Sequence, residues 1–496
     1  MNESPLTTST GAVAEPGIAS APCDPRYAVL DIAAAHAHKY VADLPERPVG
    51  SRASIGDLRA TLGRPLAEAG TDPLTVIDDL VRDAEPGLIA SGGPRYFGFV
   101  VGGALPVAVA ADWLVSAWDQ NCCGYTLSPA LSVAEETAAG WVRDILGLPA
   151  RSSIGFVTGG QMANFTCLAA ARNAVLMDAG WDVEAHGLEG APPVRVYAGE
   201  QVHMTVKVAC RMLGLGSERV RMVAADEQGR MCPAALDIAL AEYDGPSIVC
   251  TQAGEINTGA CDRFAKIVDV CRRNRAWCHI DGAFGLWAAV SPARRHLLEG
   301  YERADSWATD AHKWLNVPYD CGIAAVSDRR AHRAAMAPST VPFIPSHGDD
   351  VPWGYDWTPE LSRRARGVPV YAALRALGRA GVQAMIDGCC DHARRMADRL
   401  SQVDGIEVVN DVTLNQVLVR FADDDAATAA VIAAVQRDGT CWLGASSFGG
   451  RGVMRVSFVG WQTMAEDVDR SADAIIAAAA DCTQGDAPYP PGSVPG

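Results

Sequence analysis

The chain has 496 residues, of which 49% are apolar and 20% are charged, the balance of a soluble globular protein with a sizeable core. Its formal net charge of −17 at pH 7 argues against binding to nucleic acid or to an anionic membrane surface, because both would repel the chain. The bulk numbers therefore favour the chemistry of small molecules, in a protein of roughly two or three domains.

The cysteines indicate a reducing compartment. There are 15 of them, an odd number, they are scattered along the chain, and no CxxC pair occurs. No hydrophobic signal region follows Met1, and charges interrupt the apolar runs before the roughly 20 residues that a membrane span requires. We therefore expect a cytoplasmic protein without membrane partners, whose cysteines are small core residues. No cluster of His, Cys and carboxylate residues has the spacing of metal ligands, so no metal is expected.

In chain order, the two ends differ from the rest. Residues 1–25 are rich in Ser, Thr, Pro, Gly and Ala without periodicity and are predicted to form a mobile arm. The tail at 483–496 has the same character and is predicted to be flexible. After the arm we expect an N-terminal helical segment over 26–93, which carries Lys39 on an amphipathic helix.

From about residue 152 the chain alternates short β-rich runs with amphipathic helical patterns, such as "SIGFVTGG" followed by "QMANFTCLAAARNAVL". This rhythm is typical of a parallel sheet covered by helices on both faces. After about 375, a long Arg-rich helix is followed by strands and helices in mixed order. We therefore predict an α/β fold, with a large doubly wound, mainly parallel sheet domain over 94–375 and a smaller C-terminal α+β domain over 376–482.

Ligands of an open parallel sheet bind beyond the carboxyl ends of its strands, so the residues after each predicted strand are candidates for function. The first candidate is the turn "TGGQMAN", whose glycines and helix N-terminus suit a phosphate group, although a plain tight turn fits the motif equally. His203 opens the helix "HMTVKVACRMLG", where a lone histidine is more often structural. Asp281 ends an apolar run, "WCHI", and its burial requires a cation, a metal or a helix cap.

Lys313 ends another apolar run, "SWATDAHKW". It is one of only four lysines, and the other three lie on predicted solvated helix faces, at Lys39, Lys207 and Lys266. A lysine that is desolvated at a strand end can lose its proton and attack a carbonyl group, whereas the guanidinium of an arginine stays protonated. The placement of Lys313 therefore favours Schiff-base chemistry.

Together these positions offer a phosphate cradle at Gly159 and Gly160, a ring partner in His203, a carboxylate in Asp281 and an amine in Lys313. Pyridoxal 5′-phosphate needs all four: an anchor for its phosphate, a stacking group, an acid that keeps the pyridine nitrogen protonated, and an amine. The combination predicts this cofactor more specifically than any single motif does.

These motifs resemble the group II pyridoxal-phosphate-dependent decarboxylases of fold type I, relatives of the aromatic-L-amino-acid and glutamate decarboxylases. The resemblance runs from about Arg95 to Val459. It rests on "RYFGFVVGGALP", "SPALSVAEETAAGWVRDILGLP", "TGGQMANFTCLAAAR", "HMTVKVACRMLGLG", "HIDGAFG", "DAHKWLNVPYDCG" and "WTPELSRRARG". It implies decarboxylation of an L-amino acid through an external aldimine and a quinonoid intermediate, in a homodimer whose active sites lie at the subunit interface.

The resemblance also implies roles for individual residues. Lys313 would form the internal aldimine, Asp281 would pair with the pyridinium, and His203 would stack on the ring. Further cofactor contacts are expected from Gly160, Gln161 and Met162 in the phosphate turn and from Ala283 and His312. In "RYFGFVVGG", Phe99 and Val100 are expected to line the substrate pocket.

Two stretches depart from the family. About thirty residues after the lysine, where relatives carry a loop tyrosine that protonates the substrate carbanion, "MAPSTVPFIP" places Phe343. Phenylalanine has no proton to give. Oxidative decarboxylation to an aldehyde, or another carbanion reaction such as aldol cleavage, is therefore the alternative function. The second stretch is "GEINTG" at 254–259, where relatives have a Gly-Thr-Thr run, so no threonine role is transferred.

The sequence leaves the substrate open. The apolar residues at 99–101 favour an aromatic or aliphatic side chain, yet Arg366 or Arg451 could bind the second carboxylate of an acidic amino acid. A catalytically silent dimer that binds a metabolite or another protein is a hypothesis from a different class. The complete set of lysine, aspartate and histidine argues against it.

Overall fold

The structure is a computed structural model, and it describes residues 24–337 and 353–483. Nearly all of the predicted arm and of the predicted tail lies outside these residues. Phe343, predicted to occupy the place of the loop tyrosine, also lies outside the described residues.

The chain divides into two compact units. One comprises the N-terminal residues up to Leu44 together with Ser51–Leu88. The other comprises Pro45–Gly50 and the chain from Ile89 onward, and it contains the candidate residues that the structure describes.

The first unit is helical. Its helices are α1, Ala28–Asp43; α2, Ile55–Leu62; and α3, Pro73–Ala84. Side-chain caps explain where two of them begin: Ser54 forms a capping box with Asp57 at the start of α2, and Asp72 accepts the Thr75 N–H at the start of α3.

The larger sheet of the second unit has seven strands. They are β1, Ser153–Val157; β2, Arg195–Gly199; β3, Arg221–Val223; β4, Ser247–Gln252; β5, Trp277–Asp281; β6, Ser306–Asp310; and β7, Gly322–Val326. Their order is β1-β7-β6-β5-β4-β2-β3. β7 runs antiparallel to both of its neighbours, whereas the other neighbouring pairs are parallel. The predicted mainly parallel sheet is confirmed.

Helices lie on both faces of this sheet. They include α4, Pro106–Trp118; α5, Pro129–Ile145; α6, Gly160–Asp178; α7, Val183–His186; α8, Met204–Met212; α9, Pro233–Ala241; α10, Phe264–Arg273; and α11, Arg329–Met336. The alternation along β7 shows the two layers: Ile323 and Ala325 belong to one buried apolar cluster, and Ala324 and Val326 belong to another. A strand that is buried on both faces is apolar throughout, and the doubly wound architecture is confirmed.

The smaller sheet is antiparallel. Its strands are β8, Ile406–Val408; β9, Gln416–Phe421; β10, Gly444–Phe448; and β11, Arg451–Ser457, in the order β10-β11-β9-β8. The accompanying helices are α12, Gly367–Leu400; α13, Asp425–Asp438; and α14, Ala465–Thr483. The boundary predicted at 375 falls inside α12, which breaks at Gly378 (φ +61°), and both sheets belong to the same compact unit.

The described cysteines are free thiols, and most are buried. Over 24–337 and 353–483, none of the helices is both long and apolar enough to traverse a lipid bilayer. The same residues include no group of three or more His, Cys, Asp or Glu side chains placed to hold a metal ion.

Two buried histidines make the stability of the fold depend on pH. Nδ1 of His332, on α11, lies 2.8 Å from Oγ of Ser153, and His279 lies in the centre of β5. Burial lowers the pKa of His332 to about 3 and that of His279 to about 4. Both imidazoles are therefore neutral in the folded protein at pH 7, and protonating either one would place an uncompensated charge in the core.

We expect the free energy of unfolding to fall as the pH drops below about 6.5, because the unfolded chain then takes up protons that the folded chain does not. Above that pH the two neutral histidines do not lower the free energy of unfolding. At pH 5 the free energy of unfolding is lower by about 2 kcal/mol for each buried histidine. Urea unfolding of the wild type and of His332→Gln at about pH 7.5 and about pH 5 measures this. The variant should lose less stability on acidification, and equal losses would contradict the prediction.

Candidate active site

The carboxyl ends of the strands bring the predicted residues to one edge of the large sheet. Asp281 is the last residue of β5, and β6 ends at Asp310, three residues before Lys313. β1 leads into the turn at Gly159, and β2 leads to His203, which caps the N-terminus of α8. Residues that are far apart in sequence therefore share one edge, as ligand-binding residues do in open α/β sheets.

The glycine turn before α6 leaves room for an anion. Gly159 has φ +148°, and no side chain caps the helix. The first N–H groups of α6 therefore have no partner within the helix. They belong to Gly160, Gln161 and Met162. A Cβ atom on Gly159 would lie 3.2 Å from Cε1 of His312, and one on Gly160 would lie 2.8 Å from Oδ2 of Asp310. Glycine keeps this space open beside free helix N–H groups, a suitable place for a phosphate.

Lys313 lies beside an acid that the sequence analysis did not single out. Its side chain is 18% exposed, and Nζ is 3.3 Å from Oδ2 of Asp310, which is buried. Nε2 of His312 lies 3.5 Å from Oδ1 of the same carboxylate, and Nδ1 of His312 accepts the Cys321 N–H at 3.2 Å. Burial lowers the pKa of His312, so this imidazole is neutral and Asp310 serves as the counter-ion of Lys313.

Asp281 and His203 are each held by hydrogen bonds. Oδ2 of Asp281 accepts from Nδ2 of Asn164 at 3.0 Å, and Oδ1 accepts the N–H of Ala283 at 3.2 Å. Nδ1 of His203 lies 2.8 Å from the hydroxyl of Thr205. Burial lowers the pKa of His203, while the charges of Asp281 and Lys313 act on it in opposite directions. The carboxylate, the imidazole and the lysine are thus within electrostatic reach of one another.

The two residues predicted to line the substrate pocket differ in position. Phe99 and Val100 both have positive φ, +53° and +63°. The side chain of Phe99 is 64% exposed and stacks on Trp442, with the ring centroids 5.4 Å apart. Val100 is fully buried in the main apolar cluster. Left-handed backbone at two consecutive non-glycine residues costs free energy, which points to a functional constraint on this segment.

Sequence reasoning missed Arg455 in β11. This side chain is 9% exposed, and burial lowers its pKa while the charge of Glu255 raises it. Its own charge also lowers the pKa of His203. The signal in the sequence was a single arginine inside the apolar strand "VMRVSFV", since a buried cation requires an anion. Arg455 therefore brings a positive charge from the small sheet towards the site.

Each of the two arginines considered for a second carboxylate lies beside an aspartate, and Nη1 of Arg366 is buried without a hydrogen-bond partner among the described residues. Nε of Arg366 donates to Oδ1 of Asp320 at 2.8 Å. Arg451, at the start of β11, is half exposed and lies 3.8 Å from Asp423. In this structure neither is as buried as Arg455.

These residues fit pyridoxal phosphate. The open space at Gly159 and the free N–H groups of α6 suit its phosphate, and the buried carboxylate of Asp281 suits a protonated ring nitrogen. His203 is available to cover a ring face, and Lys313 carries an amine that can bond to the aldehyde carbon. The predicted set of cofactor residues thus lies at one edge, and their individual roles stay predictions.

Comparison with known proteins supports this assignment. The conserved domain described as pyridoxal-dependent decarboxylase matches residues 56–422. Tryptophan decarboxylase 1 from Oryza sativa subsp. japonica is 31% identical over 430 residues, which cover 79% of this chain and 82% of that protein.

Two solved structures have the same fold. The crystal structure of Oryza sativa TDC with PLP and tryptamine superposes with a TM-score of 0.86 at 25% identity, over 93% of this chain and 99% of that one. The crystal structure of Rhodiola rosea 4-hydroxyphenylacetaldehyde synthase gives a TM-score of 0.82 at 21% identity, again over 93% and 99%. The latter likeness concerns the fold alone.

Proposed function

This chain belongs to the pyridoxal-dependent decarboxylase family, and we propose that it decarboxylates an L-amino acid with an aromatic or apolar side chain, releasing the amine. Its cofactor is pyridoxal 5′-phosphate. The observation that carries the proposal is the meeting of Lys313, Asp281 and His203 at the strand edge beside the open glycine turn.

Each of these residues has a task in the proposed reaction. When bound, pyridoxal phosphate withdraws electrons from the substrate α-carbon as the carboxyl group leaves as CO₂. Lys313 would hold the cofactor through its amine until the substrate amino group takes that place, and Asp310, 3.3 Å from Nζ, would then pair with the lysine ammonium. Asp281 would keep the ring nitrogen protonated, and the N–H groups at the Gly159 turn would bind the phosphate.

An aromatic cluster supports an apolar substrate side chain. Trp442 stacks on Tyr96, with the centroids 5.1 Å apart, as well as on Phe99. The segment continues to Gly102, where a Cβ atom would lie 2.8 Å from the carbonyl oxygen of Lys313. Phe99 is therefore only three residues along the backbone from a glycine that packs against Lys313. The exposed ring of Phe99 offers a surface for an apolar group.

The charges near the site also favour a substrate with a single carboxylate group. Arg455 is a buried cation that would attract the carboxylate of an amino acid. The negative charge of Glu255 offsets part of the positive charge of Arg455. Glu255 is itself held by the backbone N–H groups of Asn257 and Thr258 at 2.8 and 2.7 Å. Because Glu255 already offsets part of its charge, Arg455 would not bind both carboxylates of an acidic amino acid by itself.

Two products are chemically possible after CO₂ has left, an amine or an aldehyde. Phe343 cannot donate a proton to the substrate α-carbon after CO₂ has left, so the alternative is oxidation by O₂ to an aldehyde with release of ammonia and peroxide. We also propose that the enzyme works as a homodimer in the cytoplasm, with the partner subunit adjoining the site.

Product analysis separates the two reactions. We expect the holoenzyme, given a panel of amino acids, to release CO₂ and amine from aromatic or aliphatic members at least about tenfold faster than from acidic ones, because only one carboxylate is matched. Oxygen uptake with aldehyde formation would replace the amine proposal by the alternative. In that case Phe343→Tyr should shift product towards amine, whereas Phe343→Leu, which adds no hydroxyl, should not. Release of no CO₂ from any member would overturn the proposed function.

A further inference from the structure

A continuous set of buried hydrogen bonds ends at Asp281. Nδ2 of Asn164 donates to Oδ2 of Asp281, and Oδ1 of Asn164 lies 2.8 Å from Nε2 of His279. Nδ1 of His279 lies 2.9 Å from Oγ of Ser306, which accepts the indole N–H of Trp277 at 2.9 Å. All five side chains are buried. Ser306 and Trp277 start strands β6 and β5, so they lie at the opposite ends of these strands from Lys313 and Asp281.

The chemistry of the groups fixes the direction of every bond. Nδ2 of Asn164 faces the carboxylate, which can only accept, so Oδ1 of Asn164 is the acceptor that faces His279. Nε2 of His279 must then carry the proton, and Nδ1 must accept from the hydroxyl of Ser306. The Ser306 oxygen in turn accepts from Trp277, whose indole can only donate. The donors thus all point along the network towards Asp281.

A branch of the same network reaches the ring histidine. Nδ2 of Asn164 also donates to Oγ1 of Thr205 at 3.1 Å, and the Thr205 hydroxyl then donates to Nδ1 of His203 at 2.8 Å. The two protons of one amide nitrogen therefore serve the carboxylate and the histidine together. The arrangement leaves Nε2 of His203 as the nitrogen that carries the proton.

The network requires a neutral imidazole at its centre. A protonated His279 would have two donors, and its Nδ1–H could no longer accept from Ser306. Burial lowers the pKa of His279 to about 4, so the neutral form is present at pH 7. Which of its two nitrogens carries the proton is then decided by Ser306 on one side and Asn164 on the other.

We propose that Ser306 and Asn164 are positioning residues for the reaction. Together they hold His279 with its proton on Nε2, where it donates to Oδ1 of Asn164. The Asn164 amide is thereby held with its Nδ2–H group directed at the carboxylate of Asp281. The inference rests on the proposed function, in which that carboxylate supports the ring nitrogen of the cofactor. Without the Ser306 hydroxyl, Nδ1 of His279 loses its donor, so the preference for the proton on Nε2 falls to what Asn164 alone supplies. Where Nε2 lacks the proton, it faces Oδ1 of Asn164 as a second acceptor, and that repulsion displaces the amide whose N–H group Asp281 accepts.

The test compares Ser306→Ala with Thr251→Val in the holoenzyme. Thr251 Oγ donates to the backbone carbonyl of His279 at 3.0 Å and is equally buried, so its replacement removes a neighbouring hydroxyl without touching the imidazole. Ser306→Ala should lower kcat about tenfold with KM changed less than about twofold, and it should shift the pH at which the visible absorbance of the bound cofactor changes. Thr251→Val should do neither. Nitrogen NMR of labelled histidine should show the proton of His279 leaving Nε2 only in Ser306→Ala.

A double-mutant cycle tests whether Ser306 acts through His279. His279→Gln keeps a donor at the Nε2 position and makes no demand on Ser306, so adding Ser306→Ala to it should leave kcat and the absorbance unchanged within about twofold. Ser306→Thr should restore wild-type values. The network is overturned if Ser306→Ala keeps both wild-type kcat and the wild-type absorbance profile, or if Thr251→Val is affected equally. A wild-type protein that takes up no cofactor would instead overturn the proposed function.

Discussion

Lys313→Ala is expected to lose turnover by more than about 10³-fold, because the reaction then has no amine to hold the cofactor or to exchange with the substrate. The visible absorbance of the lysine-bound cofactor should vanish as well. Lys313→Arg is the sharper variant: a guanidinium would keep the ion pair with Asp310 but stays protonated and does not bond to the aldehyde. Both variants should be equally inactive, since the lysine matters as a nucleophile and its charge alone does not suffice.

Lys266, one of the three other lysines of the chain, provides a matched control. Lys266 lies exposed on α10, and Lys266→Ala should retain wild-type absorbance and turnover. Absorption spectra after addition of pyridoxal phosphate, together with CO₂ release, measure both properties. Substantial activity in Lys313→Ala would contradict the assignment, as would loss of the absorbance in Lys266→Ala.

Sequence reasoning located Lys313 and Asp281 because of a general property of parallel sheets. Both follow apolar runs that could be recognised as buried strands, and the carboxyl ends of such strands meet at one edge. The rhythm of strands and helices likewise predicted the large sheet, although it did not predict that β7 runs antiparallel. A short apolar strand has the same composition in either direction, so its orientation depends on how the connecting chain packs.

Other parts of the site depend on side-chain direction and were not predictable. Arg455 comes from the smaller sheet, far along the chain from Lys313, and its relation to the site requires the packing of the whole unit. Asn164 lies within the turn motif "TGGQMAN", but nothing in one dimension shows that its amide bridges Asp281 and Thr205. The ion pair between Asp310 and Lys313 is closer to local, since the two residues are three apart. It was missed because the carboxylate was read only as part of an apolar strand.

Asp281→Asn is expected to lower kcat roughly 10²- to 10³-fold, the loss typical of removing one preorganised electrostatic partner from a buried site. The amide is almost the same size, so the hydrogen bonds with Asn164 and Ala283 can be partly retained. It carries no charge, however, and cannot hold a proton on the ring nitrogen of the cofactor. The substrate α-carbon would then lose the electron withdrawal that stabilises it after CO₂ has left. Cofactor affinity, measured by equilibrium titration, should fall along with kcat.

Asp305 provides the control for the same change at the other end of the sheet. Its carboxylate accepts the Cys278 N–H at 2.8 Å just before β6 begins, and burial raises its pKa. Asp305→Asn therefore alters a partly buried acid between the same two strands without altering the site, and it should change stability while leaving kcat within about twofold. If both variants lost activity to the same extent, the effect would belong to the sheet as a whole. If only Asp281→Asn lost activity, the loss would be due to the carboxylate at the carboxyl end of β5, where the candidate site residues lie.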